Sequence, residues 1–240
     1  LVAGHTRGIQ MQQGRQIKGS IRDYAYERIK KDIISLTLEP GSRISEKEWA
    51  EQLKVSRTPM REAFIKLAEE DLIDIYPQKG SFVSLIDLDQ VMEARFLRET
   101  MEVTVLKLAC ETFKEEDSKD LDVIVARQKI YIGHRDIESM HALDEEFHRT
   151  IFEKCGKSRI WFVIQQMLGH YKRFRNLLLA VYFDWELIIR QHERIIACIR
   201  ERNAAAAEEV LRLHVQTGFE KEELLRKYPN FFRTPVSDRS

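Results

Sequence analysis

The chain has 240 residues, 43% hydrophobic and 32% charged, and its 39 basic side chains balance 39 acidic ones. That length and composition suit one or two soluble domains with substantial cores. Three widely spaced cysteines, and a longest apolar run of only "LLLAVYF" (177–183), exclude a disulfide framework, a CxxC zinc site and a membrane span, and imply a reducing, cytoplasmic setting.

Residues 1–19 are rich in Gly and Gln, lack the apolar core of a signal peptide and read as a flexible tail. In "IRDYAYERIKKDIISLTL" the apolar positions 21, 25, 29, 33 and 36 predict a helix, which "EPGSR" (39–43) stops. "SEKEWAEQL" predicts a short second helix, with Ser45 as cap and Glu48 completing a capping box. After a tight turn at "KVS", a third helix is expected over about 57–70, burying Met60, Phe64 and Leu67. Pro59 fits because a first helical turn does not need its missing N–H. "LIDIYPQKGSFVSL" alternates apolar and polar residues around Pro77 and Gly80, the pattern of a small β-hairpin.

Helix, short helix, turn, helix and hairpin over residues 20–85 make a winged helix-turn-helix, whose third helix enters a DNA major groove N-terminus first. Arg57 and Arg61 lie one turn apart at that helix's positive end, where the helix dipole opposes them. A negatively charged partner outside the chain accounts for them, and Ser56 and Thr58 add hydroxyl donors. Bulk charge does not carry this reading. Residues 1–84 hold 14 basic against 12 acidic side chains, so the position of the charges matters and not their sum.

No proline falls between 78 and 228. Residues 86–226 read as an all-α bundle of about six helices, at 87–113, 116–133, 136–154, 158–181, 184–201 and 203–226. Asp87 (with Gln90), Ser158 and Asn203 mark starts and Gly156 an end. The whole chain is therefore mostly α, and residues 227–240 read as a C-terminal tail.

Three of these helices carry ionisable residues on apolar stripes. Asp144 and His148 stack four apart beside Met140, Phe147 and Ile151, His192 sits between Ile188 and Ile195, and His214 follows Val210 and Leu211. A single such histidine is ordinarily a satisfied core residue. Three imidazoles and one carboxylate together suit a divalent metal, Zn²⁺ ahead of Ni²⁺ or Mn²⁺, with coordination positions left over. The ion and Asp144 would leave about one positive charge for an incoming carboxylate to cancel. Arg98 reads first as a surface salt bridge with Glu102 at i+4, and second as a bidentate partner for an organic acid; Arg173 and Arg175 are further candidates. His5, His134, His141 and His170 have no such company and read as structural or exposed. Two alternatives stay open: a purely structural metal, and a metal-dependent hydrolase with Glu145 or Glu146 as general base.

The stretch from "LEPGSRISEKEWAEQLKVSRTPMREAF" to "DIYPQKGSFV", and above all "VSRTPMREAFIKLAEEDLI", resembles the winged-helix domain of the GntR superfamily of bacterial transcription regulators. The helical part is similar to the effector domain of the FadR-like subfamily, whose Asp-x-x-x-His plus two later histidines match Asp144, His148, His192 and His214. The likeness spans about residues 20–226. It implies a homodimeric regulator, a repressor before an activator and not an enzyme, that binds a palindromic double-stranded operator. It implies DNA contacts at Lys47, Ser56, Arg57, Thr58 and Arg61, and at a wing formed by Lys79 and Gly80, where many relatives carry a second glycine. It also implies a small organic acid held by the metal and by Arg98. The founding fatty-acid regulator lacks the metal set and binds an acyl thioester, a ligand type the four metal-ligating residues here argue against.

Overall fold

In the computed structural model, which describes residues 20–134, 136–182, 184–216 and 221–233, Ser20 opens helix α1 (Ile21–Ile34). Its hydroxyl accepts from the Asp23 N–H, and Asp23 returns the bond to the Ser20 N–H. Ala25, Ile29 and Ile33 of the expected stripe are buried, but Ile21 is exposed and Leu36 lies beyond the helix at φ +62°. The expected tail 1–19, His5 and residues 234–240 lie outside the described residues.

Strand β1 (Arg43–Ile44), α2 (Glu46–Leu53), α3 (Arg57–Glu69), β2 (Ile73–Tyr76) and β3 (Gly80–Val83) complete the head. Ser45 caps α2 by accepting from the Glu48 N–H. Lys54 at φ +55° turns the chain toward α3, and α3 buries Met60, Ala63, Phe64 and Leu67 against α1. Each such fully buried side chain contributes about 1.5–3 kcal/mol. The wing differs from the expected hairpin. β1 adds a third antiparallel strand in the order β1-β3-β2, because Arg43 and Ile44 pair with Phe82 and Ser81. Two residues carry too little alternation to signal a strand.

The bundle comprises α4 (Leu88–Thr112), α5 (Glu115–His134), α6 (Ile137–Lys154), α7 (Ser158–Met167), α8 (Gly169–Tyr182), α9 (Trp185–Arg200), α10 (Ala204–Gln216) and α11 (Lys221–Lys227). Asp87 caps α4 as expected, accepting from the Asp89 and Gln90 N–H groups. Gln90 does not close the box; its amide reaches Asp71 of the head instead. Eight helices among the described residues replace the expected six. The helix expected over 158–181 divides at Leu168, and residues expected to form one last helix lie in α10 and α11. The first break has a packing reason. A β-carbon on Gly169 would lie 2.9 Å from Leu72 Cδ2, so the glycine lets the start of α8 approach the head closely. The chain after α11 folds back rather than trailing off: Phe232 is buried, the Ile86 N–H donates to the Phe231 carbonyl, and the Arg233 N–H donates to the Ile86 carbonyl.

Two cores result, one in the head and one in the bundle, and α8 joins them. Arg173 is fully buried and donates to the Ser84 carbonyl (2.7 Å), the Ser84 hydroxyl (3.0 Å) and His170 Nδ1 (2.9 Å). His170, read as structural or exposed, is buried and also accepts from the Asp87 N–H. No carboxylate lies within ion-pair distance of Arg173 among the described residues, and burial pushes its pKa down to about 9. Arg173→Ala should lower stability by about 2–4 kcal/mol through the lost bonds and packing, read as a reduced urea midpoint. An unchanged midpoint would contradict its role as the clamp on the linker.

Candidate functional site

The inner face of α6 presents Asp144 and His148 beside Met140, Phe147 and Ile151. α9 adds His192 and α10 adds His214. All four are buried, none more than 4% exposed, and their ligating atoms lie within 4.8 Å of one another. His148 Nε2 stands 3.0 Å from His214 Nε2. Asp144 Oδ1 is 3.6 Å from His192 Nε2 and 4.0 Å from the other two. Ligands each ~2.1 Å from one ion sit roughly 3–3.5 Å apart; the His148–His214 and Asp144–His192 pairs are close to that spacing, and the wider pairs would close in around an ion.

The outer nitrogens fix the tautomers. His148 Nδ1 meets Glu102 Oε2 at 2.9 Å, His192 Nδ1 meets Gln128 Oε1 at 3.0 Å, and His214 Nδ1 meets Gln191 Oε1 at 2.9 Å. An Nδ1–H given to an outer acceptor leaves the Nε2 lone pair facing inward. The His148 and His214 lone pairs then oppose each other, and His192 Nε2 has no hydrogen-bond partner among the described residues. A buried polar atom without a partner is costly, and a cation satisfies all three nitrogens at once. The donor set therefore fits a divalent metal of the nitrogen-and-oxygen class.

Electrostatics prepare the same state. Burial, offset only in part by Asp144, pushes His192 down to about 3, and burial with the neighbouring imidazoles holds His214 well below the usual range. Both are neutral near pH 7, the form that ligates. Burial alone would raise the Asp144 carboxyl, but the Arg175 guanidinium, bonded to both of its oxygens, outweighs that and holds it well below the usual range.

A cavity of about 110 Å³ opens on the Asp144 side, lined by Arg98, Tyr171, Lys172, Arg175 and Asn176 of the bundle and by Ile34 of the head. Arg98 keeps the expected i+4 pairing but not the expected surface position. It does pair with Glu102 (Nε to Oε1, 2.5 Å), but the pair is buried instead of lying on the surface, and the guanidinium also reaches the Tyr171 hydroxyl at 3.1 Å while lining the cavity. Burial opposes ionisation of Glu102, and Arg98 and His148 overcome it and bring its pKa to about 2.

On the head, Lys47 lies on α2, Ser56, Arg57, Thr58 and Arg61 at the start of α3, and Lys79 in the wing turn; all are exposed. Lys47, Arg57, Arg61 and Lys79 form no ion pair among the described residues. Gly80 adopts φ +108°, and the exposed Arg43 side chain lies over it.

A model of the FCD domain matches residues 93–217, and a model of the bacterial regulatory proteins of the gntR family matches residues 21–83. The chain belongs to the GntR family. Among similar proteins, the HTH-type transcriptional repressor RspR of Escherichia coli strain K12 is 30% identical over 207 residues, 86% of this chain and 91% of that protein. The gluconate operon transcriptional repressor of Bacillus subtilis strain 168 is 28% identical over 186 residues, covering 75% and 76%. The structure of E. coli McbR/YncC superposes with a TM-score of 0.75 at 20% identity, over 88% of this chain and 99% of that one, and supports the fold alone.

GntR proteins are DNA-binding transcription regulators and not enzymes, which removes the hydrolase alternative. The geometry agrees: Glu145 engages Lys172 and Glu146 engages Arg127, so both proposed bases are committed to cations. No helix among the described residues is long and apolar enough to cross a membrane. Sequence reasoning missed Glu102, Gln128 and Gln191 as holders of the three imidazoles, and it missed the pairing of Arg175 with Asp144. No local pattern marks a residue whose partner lies more than twenty positions away. Partners of this kind typically change metal affinity by about 10–100-fold, so Glu102→Gln should weaken zinc binding to that extent in a competition titration. Wild-type affinity in this variant would show that Glu102 does not orient His148.

Proposed function

We propose that this GntR regulator is a homodimeric repressor whose bundle binds a divalent metal, zinc first, together with a small organic acid, and that the acid alters operator affinity. The observation that carries the reading is the convergence of three inward Nε2 atoms and Asp144 Oδ1, each imidazole fixed by its own outer acceptor. A bound divalent cation would supply positive charge and open positions for carboxylate oxygens. Asp144, His148, His192 and His214 would hold it. Arg98 would orient the acid by a charge-assisted pair, with the Tyr171 hydroxyl at its other edge. The cavity beside Asp144 favours this sensor over a purely structural metal, which would need no adjoining space. The chain's similarity to two repressors, RspR and the gluconate operon regulator, supports repression.

Lys47, Ser56, Arg57, Thr58 and Arg61 would contact a palindromic operator through the first turn of α3 and its neighbour, with Lys79 and Gly80 at the wing. Two chains would place their α3 helices in successive major grooves. Helix α8 offers a route between the two sites. Its Arg175 holds Asp144, its Arg173 holds Ser84 of the linker, and its Asn176 amide donates to the Ile34 carbonyl of the head at 2.7 Å. A shift of α8 on acid binding would move the head, and by linkage DNA must change acid affinity by the same factor.

Arg57→Ala should cost about 1–3 kcal/mol of operator binding and relax base preference in a gel-shift series; unchanged affinity would remove Arg57 from the interface. His192→Ala should lose bound metal by elemental analysis and lose the response to acid, while keeping measurable DNA binding. Full metal content in that variant would refute the site.

A further inference from the structure

The charges around the cavity carry information about the acid itself, resting on the metal-and-acid reading above. Three cations line the cavity, and each already has one carboxylate. Arg98 is paired with Glu102, Arg175 with Asp144, and Lys172 with Glu145 at 2.9 Å. The three ion pairs at the cavity sum to zero charge. A divalent cation on the four ligands raises it to two positive charges, in a place where no ligand is more than 4% exposed. Uncompensated buried charge is costly, and an acid with a single charge leaves half of it in place.

Lys172 stands where a second anionic group can be met. It precedes Arg175 by three residues on α8, so both cations lie on one helix face a turn apart. Its side chain is 24% exposed, and of its three ammonium donors Glu145 and the Gln165 side-chain carbonyl take two, so the third can meet a further anionic group with Glu145 still in place. Arg98 and Arg175 hold carboxylates buried at the metal centre, whereas Lys172 faces the open side of the cavity. We propose that the effector is a compact dianion, a dicarboxylate of a few carbons, with one carboxylate at the metal centre and Arg98 and the other on Lys172. The 110 Å³ cavity suits an acid of that size and not a long acyl chain.

Calorimetric titration of the zinc-loaded full chain tests this, with malonate, succinate and malate set against acetate, propionate and lactate. The diacids should bind at least about tenfold more tightly than the monoacids, the gain of one further charge-assisted pair. Lys172→Gln should bring that ratio close to one with zinc stoichiometry intact, and Lys172→Arg should preserve it. Equal binding of the two acid series, or a ratio that survives in Lys172→Gln, would overturn the assignment. If zinc binds but no acid of either series does, the acid-sensing reading itself fails and takes this inference with it.

Discussion

A carboxylate buried inside an all-helical core sets the terms for this molecule. Asp144 cannot stand there as an isolated charge, because desolvation would cost several kcal/mol. Arg175 compensates it from α8, and three imidazoles face its other side from α6, α9 and α10. Those imidazoles need acceptors in turn, which α4, α5 and α9 provide through Glu102, Gln128 and Gln191. Phe147 stacks on the His192 ring with centroids 4.0 Å apart and fixes its plane. One buried charge thereby fixes side chains from six helices, α4, α5, α6, α8, α9 and α10.

The same constraint ties the bundle to the head. Because Arg175 belongs to α8, the helix that neutralises Asp144 also carries Arg173 on the linker and Asn176 on the end of α1. Gly169 seats the start of α8 directly against Leu72 of the head. The cavity wall includes Ile34 from the DNA-binding domain, so an acid in the cavity would neighbour both domains at once. A displacement of α8 would therefore bear directly on the head, without a long chain of intermediates.

Much of the fold was legible in the sequence, for definite reasons. The helix-turn-helix announced itself through Ser45, Pro59 and the apolar positions of the third helix, all local signals. The convergence of Asp144, His148, His192 and His214 was legible because a charged or imidazole side chain on an apolar stripe is an anomaly visible within one helix. What escaped was whatever depends on distant pairing. The glycine that follows the split at Leu168 is needed for its close approach to Leu72, about a hundred positions earlier. The third strand depends on two residues meeting β3 across the head. The return of Phe232 to Ile86 links the two ends of the bundle. The i+4 spacing of Arg98 and Glu102 revealed their pairing but not their burial, since nothing local shows that α8 and α6 close over them.

X-ray absorption at the zinc edge addresses the metal centre most directly, because it reports the atoms around the ion and not merely its presence. Zinc-loaded protein should show a shell of light atoms alone at about 2.0–2.2 Å with imidazole scattering from three histidines. A sulfur shell near ~2.3 Å, or a spectrum with fewer than two imidazoles, would contradict a centre built from Asp144, His148, His192 and His214.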